Sequence, residues 1–87
     1  MRYLELCALT GSQIGDLLEL MKELNPELTV TPQMQQRAVA SPGTRIFVAE
    51  NEEKHIVGCA TLCVFESPTG RKASVEDVVV LPPYRGQ

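Results

Sequence analysis

The sequence predicts an α+β domain, in the order strand, helix, helix, strand, strand, strand, with a mostly antiparallel sheet of three or four strands. Three observations predict it. From Gln13 to Asn25 apolar residues recur at spacings of three and four, which marks a helix with one buried face. Stretches rich in β-branched and other apolar residues fill the second half of the chain. Short polar turns join those stretches, and a short turn returns a strand beside its predecessor in the opposite direction.

Tyr3 to Leu9 is the first expected strand, apolar at Tyr3, Leu4, Leu6, Cys7 and Leu9. Thr10-Gly11-Ser12 breaks it and supplies hydroxyls that can cap a helix. The helix that follows places Ile14, Leu17, Leu18, Met21 and Leu24 on one stripe and ends at Asn25-Pro26. Thr31-Pro32 opens the second helix, a hydroxyl cap followed by proline at the first helical position. Gln33 to Ala40 continues it until Ser41-Pro42-Gly43. Strands are expected at Thr44 to Glu50, His55 to Phe65 and Ala73 to Leu81, separated by Asn51-Glu52-Glu53-Lys54 and Ser67-Pro68-Thr69-Gly70. The second of these is nearly all apolar, as for a strand covered on both faces.

The 87 residues make a single small domain, 1–87, able to bury roughly 60–65% of the surface its unfolded chain exposes. An apolar fraction of 44% and a charged fraction of 22% exclude a disordered chain. The net charge is −3 and Arg71-Lys72 is the longest basic run, which predicts no nucleic-acid or anionic membrane partner. Ile56 to Phe65, the longest apolar stretch, is about half of a membrane span, and no signal peptide is legible. Three cysteines, Cys7, Cys59 and Cys63, do not make a disulfide framework, so the expected compartment is the reducing cytoplasm.

Glu76 and Asp77 interrupt an apolar strand. Simple alternation puts Glu76, Val78 and Val80 on one face and Val75, Asp77 and Val79 on the other. A carboxylate among valines has its pKa raised by desolvation, which suits a general base; the plain alternative is a solvated carboxylate on an edge strand. Arg85-Gly86-Gln87 follows that strand where a glycine-rich anion cradle would begin. Cys59 and Cys63 share a face as buried thiols, His55 is a solvated turn residue, and no metal site is expected.

Ile56-Val57-Gly58 and the run Val75-Glu76-Asp77-Val78-Val79-Val80-Leu81-Pro82-Pro83-Tyr84-Arg85-Gly86-Gln87 resemble the GNAT superfamily of acetyl-CoA-dependent N-acetyltransferases. The order of elements is similar to the N-terminal half of that fold, so the resemblance extends over the whole chain. It implies that the backbone of Val78, Val79 and Val80 pairs with the pantetheine arm of acetyl-CoA. It implies that Arg85, Gly86 and Gln87 start the pyrophosphate loop, of pattern Arg/Gln-x-x-Gly-x-Gly/Ala. Glu76 matches the position where some members keep a general base for the acceptor amine. The segment from Asn25 to Arg37 corresponds to the region that shapes the acceptor site.

The later glycines, the helix behind them and the fifth strand have no counterpart in these 87 residues. The expectation is therefore the first part of an acetyltransferase, truncated within its acetyl-CoA loop, with weak cofactor binding and no turnover by itself. An alternative of a different class is a non-catalytic interaction module that forms a homodimer through the Val78–Leu81 strand edge.

Overall fold

Thr10 and Gln13 start the first helix by reciprocal hydrogen bonds. The Gln13 N–H donates to Thr10 Oγ1 at 3.2 Å and the Thr10 N–H donates to Gln13 Oε1 at 2.9 Å. Helix α1 runs Gly11–Leu24, and α2 runs Pro32–Ala40 behind a Thr31 cap that accepts from the Met34 N–H. The four strands are β1 Arg2–Leu6, β2 Thr44–Glu50, β3 Ile56–Ser67 and β4 Gly70–Val80, followed by a short 3₁₀ turn at Pro82–Tyr84. This computed structural model describes residues 1–86.

All four strands pair antiparallel in the order β1-β2-β3-β4, which agrees with the expected α+β architecture. The ends of the elements differ from the sequence expectation. β1 stops at Leu6 and β4 starts at Gly70, because the β3–β4 ladder continues to a two-residue turn closing on Ser67 and Gly70. Gly70 makes that turn at φ 123°, a backbone angle that side-chain-bearing residues rarely adopt.

Both helices lie on one face of the sheet. Leu17, Leu20 and Met21 of α1 pack with Leu6, Ile46, Val48, Ile56, Cys59 and Val79 to form the core. Leu20 is fully buried although the sequence stripe passed over it; the buried line of α1 is centred on Leu17, Leu20 and Met21. Ile56 to Cys59 at the start of β3 are all buried, whereas the helices cover the rest of the strand on that face only, not on both as its composition suggests. The opposite face carries Tyr3, Phe47, Ala49, Gly58, Val78 and Val80 around a groove of about 470 Å³. No helix among the described residues is long and apolar enough to cross a membrane.

The loops are held by specific bonds. Asn51 Oδ1 accepts from the N–H groups of Glu53 and His55, and its amide donates to the Tyr84 hydroxyl at 3.1 Å. Asp16 Oδ2 accepts the Ile56 N–H at 3.0 Å and so ties α1 to the start of β3. Gly43 approaches β3 so closely that a Cβ there would lie 2.6 Å from the Val64 carbonyl oxygen, a position only glycine can occupy without backbone movement.

Candidate active site

The site is built around an irregularity in β4. Thr61 faces Glu76 and Cys59 faces Val79, so two steps along β3 match three along β4. The extra residue forms a β-bulge, and Asp77 within it has φ 51°. Aspartate tolerates this left-handed backbone better than most residues because its short polar side chain bonds locally.

The bulge corrects the expected alternation. Val79 turns into the core beside Cys59, while Val78 and Val80 line the groove on the opposite face. Glu76 is the register partner of Thr61, and partners in an antiparallel pair share a face. Glu76 therefore lies on the helix side of the sheet, not beside Val78 and Val80. It is also exposed, so the desolvating surround of valines expected from the sequence is absent.

On the helix side lies a cavity of about 330 Å³, walled by Leu17, Met21 and Ile46 from below and by Leu28, Thr29, Met34 and Gln35 from above. Thr61, Cys59 and Asp77 form its floor on the sheet. The segment Asn25–Arg37 thus reaches the cavity, as the resemblance implies for an acceptor site. That segment leaves α1 in a tight turn, with the Leu28 N–H donating to the Asn25 carbonyl and the Glu27 N–H to Asn25 Oδ1.

Val78, Val79 and Val80 lie on the last strand of the sheet, which has a partner on one side only among the described residues. The Leu81 N–H donates to the Val57 carbonyl at 2.9 Å. By alternation the main-chain groups of Val80 then point to the outer edge, and Arg85 Nε donates to the Val80 carbonyl there at 2.9 Å. The other arm of the guanidinium reaches Glu23 of α1 at 3.0 Å. Arg85 is thus already engaged within the chain, and its own N–H donates to the Pro82 carbonyl. Gly86 turns the backbone at φ 85°. Gln87 lies outside the described residues. Cofactor contacts expected at Val78–Val80 fall on a strand edge without a strand partner among the described residues, where Arg85 already caps the Val80 carbonyl.

Cys59 and Cys63 lie on the cavity side, Cys59 buried and Cys63 half-buried, while Cys7 is exposed. His55 is exposed, with Nδ1 3.4 Å from Asp16 Oδ1. Burial pushes the Cys59 thiol up from an ordinary 9.0 to about 11, and the nearby Asp77 carboxylate adds to the shift. The Cys59 thiol donates to the Asp77 main-chain carbonyl at 3.6 Å. At the far end of the sheet, Arg45 donates twice to the Glu5 carboxylate, at 2.8 and 3.0 Å, and holds it below the usual carboxylate range. Arg45 also stacks over Phe47, 5.4 Å from the ring centre.

The groove on the opposite face suits packing better than chemistry, because Tyr3 and Glu5 are the only titratable side chains around it besides the thiol of Cys59. The helix-side cavity, with two carboxylates of β4 on its face, is the better candidate for a reaction.

Comparison with known proteins agrees with this fold. No curated protein matches the chain. Among solved structures, an Agrobacterium tumefaciens protein described as an acetyltransferase is 32% identical, with TM-score 0.78, over 99% of this chain and 62% of its own. A Trypanosoma brucei acetyltransferase is 27% identical, with TM-score 0.67, over 98% of this chain and 64% of its own. An aminoglycoside 6'-N-acetyltransferase from Acinetobacter baumannii, at 20% identity and TM-score 0.74 over 97% of this chain and 60% of its own, shares the fold. The chain therefore spans less than two thirds of the length of these structures. The sequence profile of the acetyltransferase (GNAT) family matches residues 14–87, and the chain belongs to that family.

Proposed function

We propose that this chain carries the acceptor side and part of the cofactor edge of an acetyl-CoA-dependent N-acetyltransferase. The bulge at Asp77 is the observation that carries it, since it puts Glu76 on the helix side of the sheet and Asp77 in the lining of a cavity shaped by α1 and α2, while the outer edge of β4 has no strand partner among the described residues. Acetyl-CoA lies along that edge, its pantetheine arm paired with the main chain of Val78–Val80 and its diphosphate toward Arg85, Gly86 and Gln87. A primary amine enters the cavity. Once its ammonium form has lost one proton, its nitrogen attacks the acetyl carbonyl, the C–N bond forms, the C–S bond breaks, and the CoA thiolate takes a second proton from that nitrogen and leaves as the thiol. Glu76 takes the amine proton, through water because it is exposed. The three free thiols favour a reducing compartment, the cytoplasm.

Acetyl-CoA titrated into residues 1–87 is expected to give weak but saturable amide NMR shifts at Val78–Val80, Arg85 and Gly86. Silence at those residues would remove the β4 edge as the cofactor site.

A second reading is a non-catalytic module that self-associates. It is favoured by the single-sided pairing of β4 and by the exposure of Val75 and Val78. Two copies would add β4 to β4 through the Val78–Leu81 edge. Sedimentation of residues 1–87 is then expected to show a dimer that grows with concentration; a monomer throughout would exclude this.

A further inference from the structure

We infer that the acceptor is a small amine with an apolar body, and that Asp77 is the carboxylate that holds its ammonium group in the cavity between α1, α2 and β4. This rests on the acceptor site proposed above and names what that site selects.

The first support is position. Sequence alternation points to Glu76 as the carboxylate on the active face, yet Asp77 is the one that lines the cavity. Its left-handed backbone, φ 51°, places it within the bulge, where its main-chain carbonyl accepts from the Cys59 thiol of the cavity floor at 3.6 Å. Glu76 stands one residue away on the same face, outside the lining.

The second is composition. Leu28, Met34, Leu17 and Ile46 present hydrocarbon to the cavity, and Asp77 is the one charged residue among those lining it. A polyamine would leave its further charges against leucine and methionine, where an unpaired cation is costly. A monoamine places one charge at Asp77 and its carbon skeleton on the wall. The third is size. About 330 Å³ is at the lower end of the roughly 300–1,000 Å³ of small-molecule sites, too small for an oligosaccharide and ample for a single ring or a short chain. Buried Gln35 is the fourth. It lines the cavity and brings a side-chain amide that can bond a polar substituent on the acceptor.

In the transfer step Asp77 binds and orients the ammonium form, while Glu76 receives the proton that must leave before attack. Asp77 is thus a specificity residue, and its loss weakens amine binding more than it slows the bound complex.

The test titrates 2-phenylethylamine, 2-phenylethanol and spermidine into residues 1–87, with amide NMR shifts at Met34, Thr61 and Asp77 as the readout. The amine is expected to bind at those residues, more tightly than spermidine. Asp77→Asn is expected to weaken it roughly fivefold, as for loss of a partly exposed charge-assisted hydrogen bond, with Glu76→Gln changing it less than twofold. The neutral alcohol is expected to bind wild type and Asp77→Asn equally. Asparagine tolerates the left-handed backbone, and Asp77→Gly, which has no strain there, is expected to reproduce the loss. Equal amine binding by wild type and Asp77→Asn, a greater loss with Glu76→Gln, preference for spermidine, or no binding at the cavity would each overturn the inference. No acetyl-CoA is present, so failure of acetyl transfer leaves this result standing. Conversely, amine binding that ignores Asp77 overturns the inference while the acetyltransferase proposal stands.

Discussion

In an active acetyltransferase carrying this chain, Glu76→Gln is expected to lower kcat roughly 10²-fold, at the lower end of what a positioned general base contributes. That corresponds to about 2.7 kcal/mol in the barrier. The lower end applies because Glu76 is exposed and works through water, so bulk solvent partly replaces it. Acetyl-CoA affinity is expected to stay within about twofold, since the proposed cofactor edge uses main-chain groups beyond the bulge. The loss should shrink at high pH, where an acceptor with the usual amine pKa near ~10 arrives already neutral. Steady-state kinetics across pH checks this, and an unchanged kcat near neutrality would remove Glu76 as the base. Asp77→Asn should behave differently and raise KM for the amine more than it lowers kcat.

Stability is expected to fall as pH rises from 9 to 11 because of Cys59. Its folded-state pKa, about 11, exceeds the ordinary 9.0. The folded protein therefore keeps a proton that the unfolded chain releases. The stabilisation is complete below pH 9, declines as pH climbs toward 11, and levels off above it. Two units of separation set a ceiling of about 2.7 kcal/mol, and on the order of 2 kcal/mol is expected after relaxation around the thiolate. Other side-chain types also ionise at alkaline pH. The measurement is therefore the difference in urea-unfolding free energy between wild type and Cys59→Ala at pH 8 and pH 11. That difference is expected to narrow at the higher pH; a constant difference would show that burial does not hold the proton on Cys59.

Much of the fold is legible in the residues. Thr10-Gly11-Ser12 and Thr31-Pro32 mark the two helix starts to within about two residues of where the structure has them, because a cap is a bond between neighbours in sequence. The strands of the second half, and their antiparallel pairing, follow from apolar stretches and short turns that act locally as well. Leu20 was less legible. On a helix wheel it lies at the margin of the Leu17–Met21 stripe, and its complete burial depends on where the sheet meets α1. Likewise the composition of β3 speaks for two covered faces, but both helices pack on one.

The candidate site shows the division most clearly. Sequence alone sufficed for the order of elements and the family resemblance, and it singled out Glu76, Val78–Val80 and Arg85-Gly86 as candidates. It could not show which way Glu76 faces, because period-two alternation assumes an uninterrupted ladder. One extra residue at Asp77 reverses that phase, and a bulge depends on the pairing of β4 with β3, residues far from it in the chain. Nor could it show that Arg85 is bound to Glu23 and Val80, or that the Asn25–Arg37 segment closes a cavity over Thr61 and Asp77. Local chemistry is written along the chain; the facing of a side chain and the walls of a cavity arise only where distant segments meet.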